Sequence, residues 1–77
     1  MNKITLKRIR EDCGMTRQEV AEKVGVSVFT YRKWEYGTRS PSIDNVLRLS
    51  FIFEESAEDI IVSIINSRPC AQEDSQR

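Results

Sequence analysis

The sequence has no histidine and only two cysteines. Histidine is the commonest metal ligand and the side chain most often used for proton transfer near neutral pH, so its absence argues against both roles. Cys13 and Cys70 form neither a paired-ligand spacing nor a CxxC redox motif. We therefore predict no metal site, no cofactor and no enzymatic activity. Both cysteines are expected to be free thiols in a reducing compartment, the alternative being a Cys13–Cys70 disulfide.

Long hydrophobic runs are also missing. The longest aliphatic stretch, from Ile60 to Ile65, is interrupted by Ser63 and is far shorter than the roughly 20 residues that span a bilayer. The first residues contain no apolar segment of the kind that a secretion signal needs. The expected protein is cytoplasmic, without membrane association, and its length predicts one small domain over residues 1–67. Residues 68–77 have too little apolar surface to fold and are expected to form a flexible tail.

The net charge is zero, but the charges are unevenly distributed. Residues 1–40 carry nine basic and five acidic side chains, a net charge of +4, whereas residues 41–77 carry three basic and seven acidic ones, a net charge of −4. A small domain polarised in this way can present a positive surface to a polyanion such as nucleic acid. The alternative is ordinary solvated charge, and the asymmetry alone does not distinguish the two.

No segment alternates apolar and polar residues as a strand would, so the chain is predicted to be all-α. Ser and Thr residues stand where helix N-caps are needed, and Gly14, Gly25 and Gly37 stand where helices must end. These signals predict five helices, at about 4–13, 16–24, 28–36, 43–53 and 56–67. The buried positions predicted from the helical period include Leu6, Ile9, Cys13, Val20, Ala21, Val24, Ile43, Val46, Leu47 and Ser50.

The second and third predicted helices are separated by only Gly25, Val26 and Ser27. Thr16 and Glu19 form a capping-box pattern at the start of the second helix, and Ser27 can cap the third. Two short helices joined by so short a glycine-led turn must cross at a steep angle, which is the geometry of a helix-turn-helix. We therefore predict this motif over residues 16–36, with 28–36 as the helix that enters the major groove of DNA.

Four segments carry a family resemblance: LKRIREDCGMT at 6–16, QEVAEKVGVS at 18–27, KWEYG at 33–37 and PSIDNVLRLS at 41–50. In this order and spacing they resemble the Cro/C1-type helix-turn-helix family of bacterial and phage regulators. The resemblance implies a five-helix, lambda-repressor-like DNA-binding domain. It also implies a transcriptional regulator, expected to be a repressor that binds a pseudo-palindromic operator as a dimer. The alternative is an antitoxin-like or adaptor protein that uses the same fold to bind another protein.

Several positions have expected structural roles. Ala21 must be small where the two helices of the motif approach each other, and Gly25 must tolerate a positive φ at the turn. Trp34 is expected to carry a large apolar surface into the small core. The resemblance implies an ion pair between Arg10 and Glu35. If that pair is buried, the loss of either partner should cost about 3 kcal/mol.

The sequence also departs from the family pattern. Arg17 occupies the position where the family has a phosphate-binding Gln, and Gln18 follows one place later. Tyr31 replaces a branched aliphatic residue at a core position of the third helix, so its hydroxyl needs a partner or a route to solvent. Glu54 and Glu55 stand where Gly and an apolar residue are common, which puts the turn after the fourth helix in question.

The outward positions of the third helix are Val28, Phe29, Arg32 and Lys33. Arg32 or Lys33 can donate hydrogen bonds to guanine O6 and N7, and Val28 and Phe29 can pack on thymine methyl groups. The alternative for Phe29 is packing over the turn against Val26 or against a neighbouring helix. The residues expected to contact phosphates are Arg17, Gln18, Ser27, Thr38, Arg39 and Ser40. The alternative for the loop arginine among them is a solubilising surface charge.

The fifth predicted helix carries aliphatic side chains over an arc of roughly 200°, wider than packing on one neighbour requires. The surplus apolar surface predicts a homodimer. The other expected partner is double-stranded DNA, as the helix-turn-helix implies. The residues expected at the dimer interface are Phe51, Ile52, Ile61, Ile64 and Ile65. The alternative is one wide core face in a small, poorly covered domain.

Overall fold

The computed structural model describes residues 4–68, which form five α-helices and no strand. The bounds are Leu6–Asp12 for α1, Arg17–Val24 for α2, Val28–Tyr36 for α3, Ile43–Phe53 for α4 and Ala57–Asn66 for α5. The all-α prediction is confirmed, and α3 and α4 have the predicted bounds. None of the described helices combines the length and the apolar character needed to cross a membrane.

Each helix begins at a Ser or Thr whose side chain accepts a hydrogen bond from a backbone N–H of the first turn. The N-caps are Thr5, Thr16, Ser27, Ser42 and Ser56. The capping box of α2 is complete, since the Thr16 N–H also donates to Glu19 Oε1 at 2.8 Å. Because Thr5 caps α1, that helix begins later than its apolar pattern predicts.

One hydrophobic core lies between the helices. Its buried residues are Leu6, Ile9, Val20, Ala21, Val24, Tyr31, Trp34, Val46, Leu49, Phe53, Ile60 and Ile64. α2 packs against α3 and α4, and α5 packs against α4 and α1. The Leu6 N–H donates to Ser67 Oγ at 3.2 Å. This contact fastens the end of α5 to the start of α1 and closes the bundle.

The prediction that Cys13 is buried is wrong, because its side chain is exposed. Cys13 is the C-cap of α1, where the chain leaves the helix and the helical period no longer sets the direction of a side chain. Its Sγ lies 3.9 Å from the carbonyl oxygen of Phe53, and partial desolvation raises the pKa of the thiol. The alternative disulfide and the predicted tail involve Cys70 and residues 69–77, which lie outside the described residues.

The predicted inward face of α4 needs correction. Ile43 is 71% exposed, and Leu47 is also exposed. The buried line of the helix is instead Val46, Leu49 and Phe53. These residues follow the i, i+3, i+7 spacing of a single helix face. α4 is apolar on several sides, so packing against both α2 and α5 determines which side is buried.

The turn after α4 is closed by a residue in the left-handed region. Glu54 is the C-cap of α4 with φ 57° and ψ 44°, and its N–H donates to carbonyl oxygens of the last turn. It is the one non-glycine residue with a positive φ in the part of the chain that the structure describes. The departure from the family's glycine therefore leaves the turn geometry intact at a conformational cost.

Candidate DNA interface

The turn between α2 and α3 has the tight geometry that the sequence predicts. Gly25 has φ 94°, and both Gly25 N and Val26 N donate to the Ala21 carbonyl, at 2.8 and 3.0 Å. Ser27 Oγ then accepts from Thr30 N at 3.1 Å and starts α3. The Ala21 side chain is buried between the helices. The turn thus fixes the direction in which α3 leaves the body of the domain.

The inward face of α3 anchors it in the core. Tyr31 and Trp34 are buried and pack edge to face, with ring centroids 5.8 Å apart. The Tyr31 hydroxyl is buried without a hydrogen-bond partner among the described residues. Burial and the nearby Glu35 carboxylate raise the pKa of Tyr31, so the hydroxyl stays neutral. The Tyr31 hydroxyl therefore has neither the hydrogen-bond partner nor the route to solvent expected from the sequence.

A buried ion-pair network joins α1, α2 and α3. Arg10 Nε donates to Glu35 Oε2 at 2.6 Å, and Arg17 Nε donates to Glu35 Oε1 at 3.0 Å. Arg10 Nη1 also donates to the Met15 carbonyl at 2.9 Å. The Glu35 side chain is 1% exposed. Burial opposes its charged form, but the hydrogen bonds and charges of the two arginines outweigh it, so the pKa of Glu35 lies below its ordinary value.

Arg17 therefore has a structural contact as well as the phosphate contact predicted for it. Its side chain is about one-third exposed at the start of α2, and only its Nε is used by Glu35. The terminal Nη groups can still reach an anion, since a guanidinium has five donors. Gln18 is exposed beside it and donates to Glu22 Oε2 at 3.1 Å.

Phe29 and Lys33 lie on the outward face of α3, where both are exposed and outside the core. Phe29 is 68% exposed, so the alternative in which it packs over the turn does not hold. Val28 is only partly exposed, because it packs against the core. Phe29, Arg32, Lys33 and Tyr36 line a shallow surface depression. This face presents aromatic surface and two cations together.

Tyr36 was not among the residues predicted at this site. It is 52% exposed at the end of α3, and its hydroxyl accepts a hydrogen bond from Arg32 Nη2 at 3.3 Å. The Arg32 Cζ lies 5.6 Å from the Tyr36 ring centroid, within the range of a cation–π contact. The hydrogen bond lowers the pKa of Tyr36 and raises that of Arg32. The i, i+4 spacing of the two residues is the signal that could have identified the pair.

A second cleft, of about 280 Å³, lies where α3 meets the start of α4. Its lining residues are Thr30, Lys33, Trp34, Arg39, Ser40, Pro41, Ser42 and Asn45. Lys33 and Arg39 supply positive charge, and the N-terminal turn of α4 supplies backbone N–H groups. Thr30 and Asn45 are polar members that the sequence analysis missed. The cleft has the chemistry of a site for a phosphate group.

Comparison with known protein families matches residues 6–60 to the family described as helix-turn-helix. The chain belongs to this family, of the Cro/C1 type. Its members are DNA-binding domains of transcription regulators. No curated protein and no solved structure matched the chain in the corresponding comparisons. α2 and α3 are the two consecutive helices joined by the glycine turn, and in helix-turn-helix domains the second helix of the motif enters the major groove.

The remaining residues predicted at phosphates lie near the recognition helix. Ser27 and the loop residues Thr38, Arg39 and Ser40 are exposed. Thr38 Oγ1 donates to the Lys33 carbonyl at 3.4 Å, which ties the loop to the end of α3. The structure therefore places the predicted base-reading residues along α3, with Ser27 at the start of this helix and the loop residues after its end.

The residues predicted at a dimer interface do not share one environment. Ile64 is 6% exposed and belongs to the core, while Ile52 is partly buried against it. Ile61 and Ile65 are exposed and line an apolar depression between α4 and α5 together with Ile43. We call these three exposed isoleucines the α4–α5 face. Phe51 is exposed at the other end of α4.

Proposed function

We propose that the protein is a cytoplasmic, sequence-specific regulator that binds double-stranded DNA through the outward face of α3. The observation that carries this proposal is the exposure of Phe29 beside Arg32 and Lys33 on a helix anchored through its opposite face. A major groove admits one such helix. Phe29 then packs on thymine methyl groups, and Arg32 or Lys33 donates to guanine.

Phosphate contacts fix the register of the recognition helix on both sides. Arg39, Ser40 and the N-terminal turn of α4 form the cleft on one side. Arg17, Gln18 and Ser27 lie around the motif's first helix and turn on the other. Contacts of this kind give affinity without sequence information and make binding depend on salt.

A single copy has one short recognition helix, which gives little specificity for a long operator. Two copies joined at the α4–α5 face present two recognition helices to half-sites about 10 base pairs apart. The exposed isoleucines of that face support this arrangement, since a contiguous apolar patch on a small domain marks an interaction site. The proposed action is repression by occupancy of the operator.

The test is selection of bound duplexes from a random DNA pool, followed by affinity measurements on the selected sequence. The variant Arg32→Ala/Lys33→Ala should lose at least about 100-fold in affinity for that sequence, because both cations of the outward face of α3 are removed from the contact with DNA. Lys7→Ala/Arg8→Ala is the matched control. It removes the same charge from exposed positions of α1 that form ion pairs within their own helix.

Equal affinities of the two double variants would contradict the assignment of the recognition face. If the unaltered protein enriches no sequence, the antitoxin-like or adaptor role becomes the better interpretation. The α4–α5 face is then the surface on which to look for a protein partner.

A further inference from the structure

Tyr36 has no structural role that explains its large exposed ring. It lies on the same outward face as Arg32, at the last helical position of α3. The pair has two contacts, a hydrogen bond of 3.3 Å to the tyrosine hydroxyl and a distance of 5.6 Å between the guanidinium carbon and the ring centroid. Both residues face away from the core, so the contacts serve the surface of the helix.

The geometry follows from the direction of helical side chains. Side chains on a helix lean toward its N-terminus, so a residue at position i+4 covers the residue at position i. The Tyr36 ring therefore lies over the Arg32 side chain and restricts its rotamers. An arginine reads guanine only when its planar fork is aligned with O6 and N7, and each rotamer removed in advance lowers the entropic cost of that alignment.

Lys33 provides the contrast on the same helix. It has no hydrogen bond or ion pair from its side chain to any other described residue, and it also lines the cleft beside Arg39. A flexible point charge suits a phosphate, which accepts it from many directions. The two adjacent cations of α3 therefore differ in how firmly the protein holds them.

We propose that Tyr36 is a specificity-determining positioning residue, which holds the Arg32 guanidinium in the orientation for reading one guanine. This inference rests on the proposed function. Under this inference the two cations have different roles: Arg32 reads a base, and Lys33 neutralises a phosphate. Tyr36 itself acts through Arg32 and makes no sequence-specific contact of its own.

The experiment uses the duplex selected by the unaltered protein and a set of duplexes with single base-pair substitutions. Tyr36→Leu should reduce discrimination at one G·C pair by about 5-fold, because the hydrogen bond and the cation–π contact are both lost. Tyr36→Phe keeps the ring and should reduce it by only about 2-fold. Discrimination at other base pairs should not change. In an Arg32→Ala background, Tyr36→Leu should have no further effect.

Four results would overturn the proposal. An effect of Tyr36→Leu that persists in the Arg32→Ala background means that Tyr36 contacts DNA directly. A uniform loss of affinity across all duplexes, or a lowered Tm, assigns Tyr36 a general or structural role. Undiminished discrimination by Tyr36→Leu, with normal selection by the unaltered protein, refutes the positioning role alone. Failure of the unaltered protein to select any sequence refutes the proposed function and this inference together.

Discussion

The outward face of α3 and the α4–α5 face both expose large apolar side chains, but their charged surroundings differ. Phe29 and Tyr36 stand beside Arg32 and Lys33, in the half of the sequence whose net charge is +4. The isoleucines of the α4–α5 face belong to the half whose net charge is −4, and among the described residues that line their depression Arg68 is the one cation. Exposed apolar area alone indicates an interaction site. The charge around it indicates whether the partner is nucleic acid or protein.

The largest expected effect concerns the buried Arg10–Glu35 ion pair, which anchors α3 to α1. Glu35→Ala should lower the free energy of unfolding by about 3–5 kcal/mol, because it leaves the Arg10 guanidinium buried without its partner. Urea denaturation followed by circular dichroism measures this change. Arg17→Ala is the matched control, and it should cost less than about 1 kcal/mol, since that side chain is partly exposed. Similar losses in the two variants would contradict a buried Arg10–Glu35 anchor.

The same carboxylate makes stability depend on pH. The pKa of Glu35 is lower in the folded protein than its ordinary value. Its contribution to stability is therefore fully present above the pKa of an unfolded glutamate, about 4.3, and is lost as the pH falls through the folded pKa. The stability difference between the unaltered protein and Glu35→Gln should shrink on acidification over this range. A difference that is constant from pH 7 to pH 3 would refute the assignment.

The α4–α5 face should control assembly and, through it, operator affinity. Ile61→Asp/Ile65→Asp should abolish the proposed dimer and lower affinity for a two-half-site operator by about 100-fold, because the second half-site no longer binds intramolecularly. Sedimentation equilibrium and titration with the selected duplex measure the two effects. Val62→Asp is the control on the same helix, an exposed aliphatic position outside the depression. A monomeric unaltered protein would refute the interface.

Phe29 tests the apolar part of the α3 face. Phe29→Ala should weaken binding to the selected duplex by about 10-fold, through the loss of apolar burial against the DNA. The free energy of unfolding should change by less than about 0.5 kcal/mol, because the side chain is exposed in the free protein. Phe29→Leu should retain part of the affinity. A destabilised Phe29→Ala protein with unchanged affinity would show that the side chain serves the fold.

The smallest expected effect is at the turn between α4 and α5. Glu54→Gly should raise the free energy of unfolding by about 1 kcal/mol, since glycine adopts a φ of 57° without steric cost. Glu55→Gly is the matched control, at a neighbouring exposed position without a positive φ, and it should not stabilise the protein. Thermal unfolding of both variants measures the difference. Equal shifts would refute a conformational cost specific to Glu54.

What the sequence predicts well here is encoded within a few residues of chain. Helix starts follow from caps such as Ser27 and Ser42, and the turn follows from Gly25, because each is a contact between near neighbours. The buried face of α4 could not be predicted, since a helix apolar on several sides is oriented by its neighbours in space. The Arg32–Tyr36 pair could have been recognised from its spacing, whereas the cleft at Asn45 depends on how α4 meets α3.

The N-caps have a consequence for the rate at which the protein folds. Every described helix starts at a Ser or Thr that accepts a hydrogen bond from its own first turn, so the start of each helix is stabilised by contacts within a few residues of chain. Small helical proteins with mostly local contacts cross their folding barrier in microseconds to milliseconds. Under the proposed function, the amount of protein able to bind DNA would therefore follow synthesis and degradation of the chain, with no delay from folding.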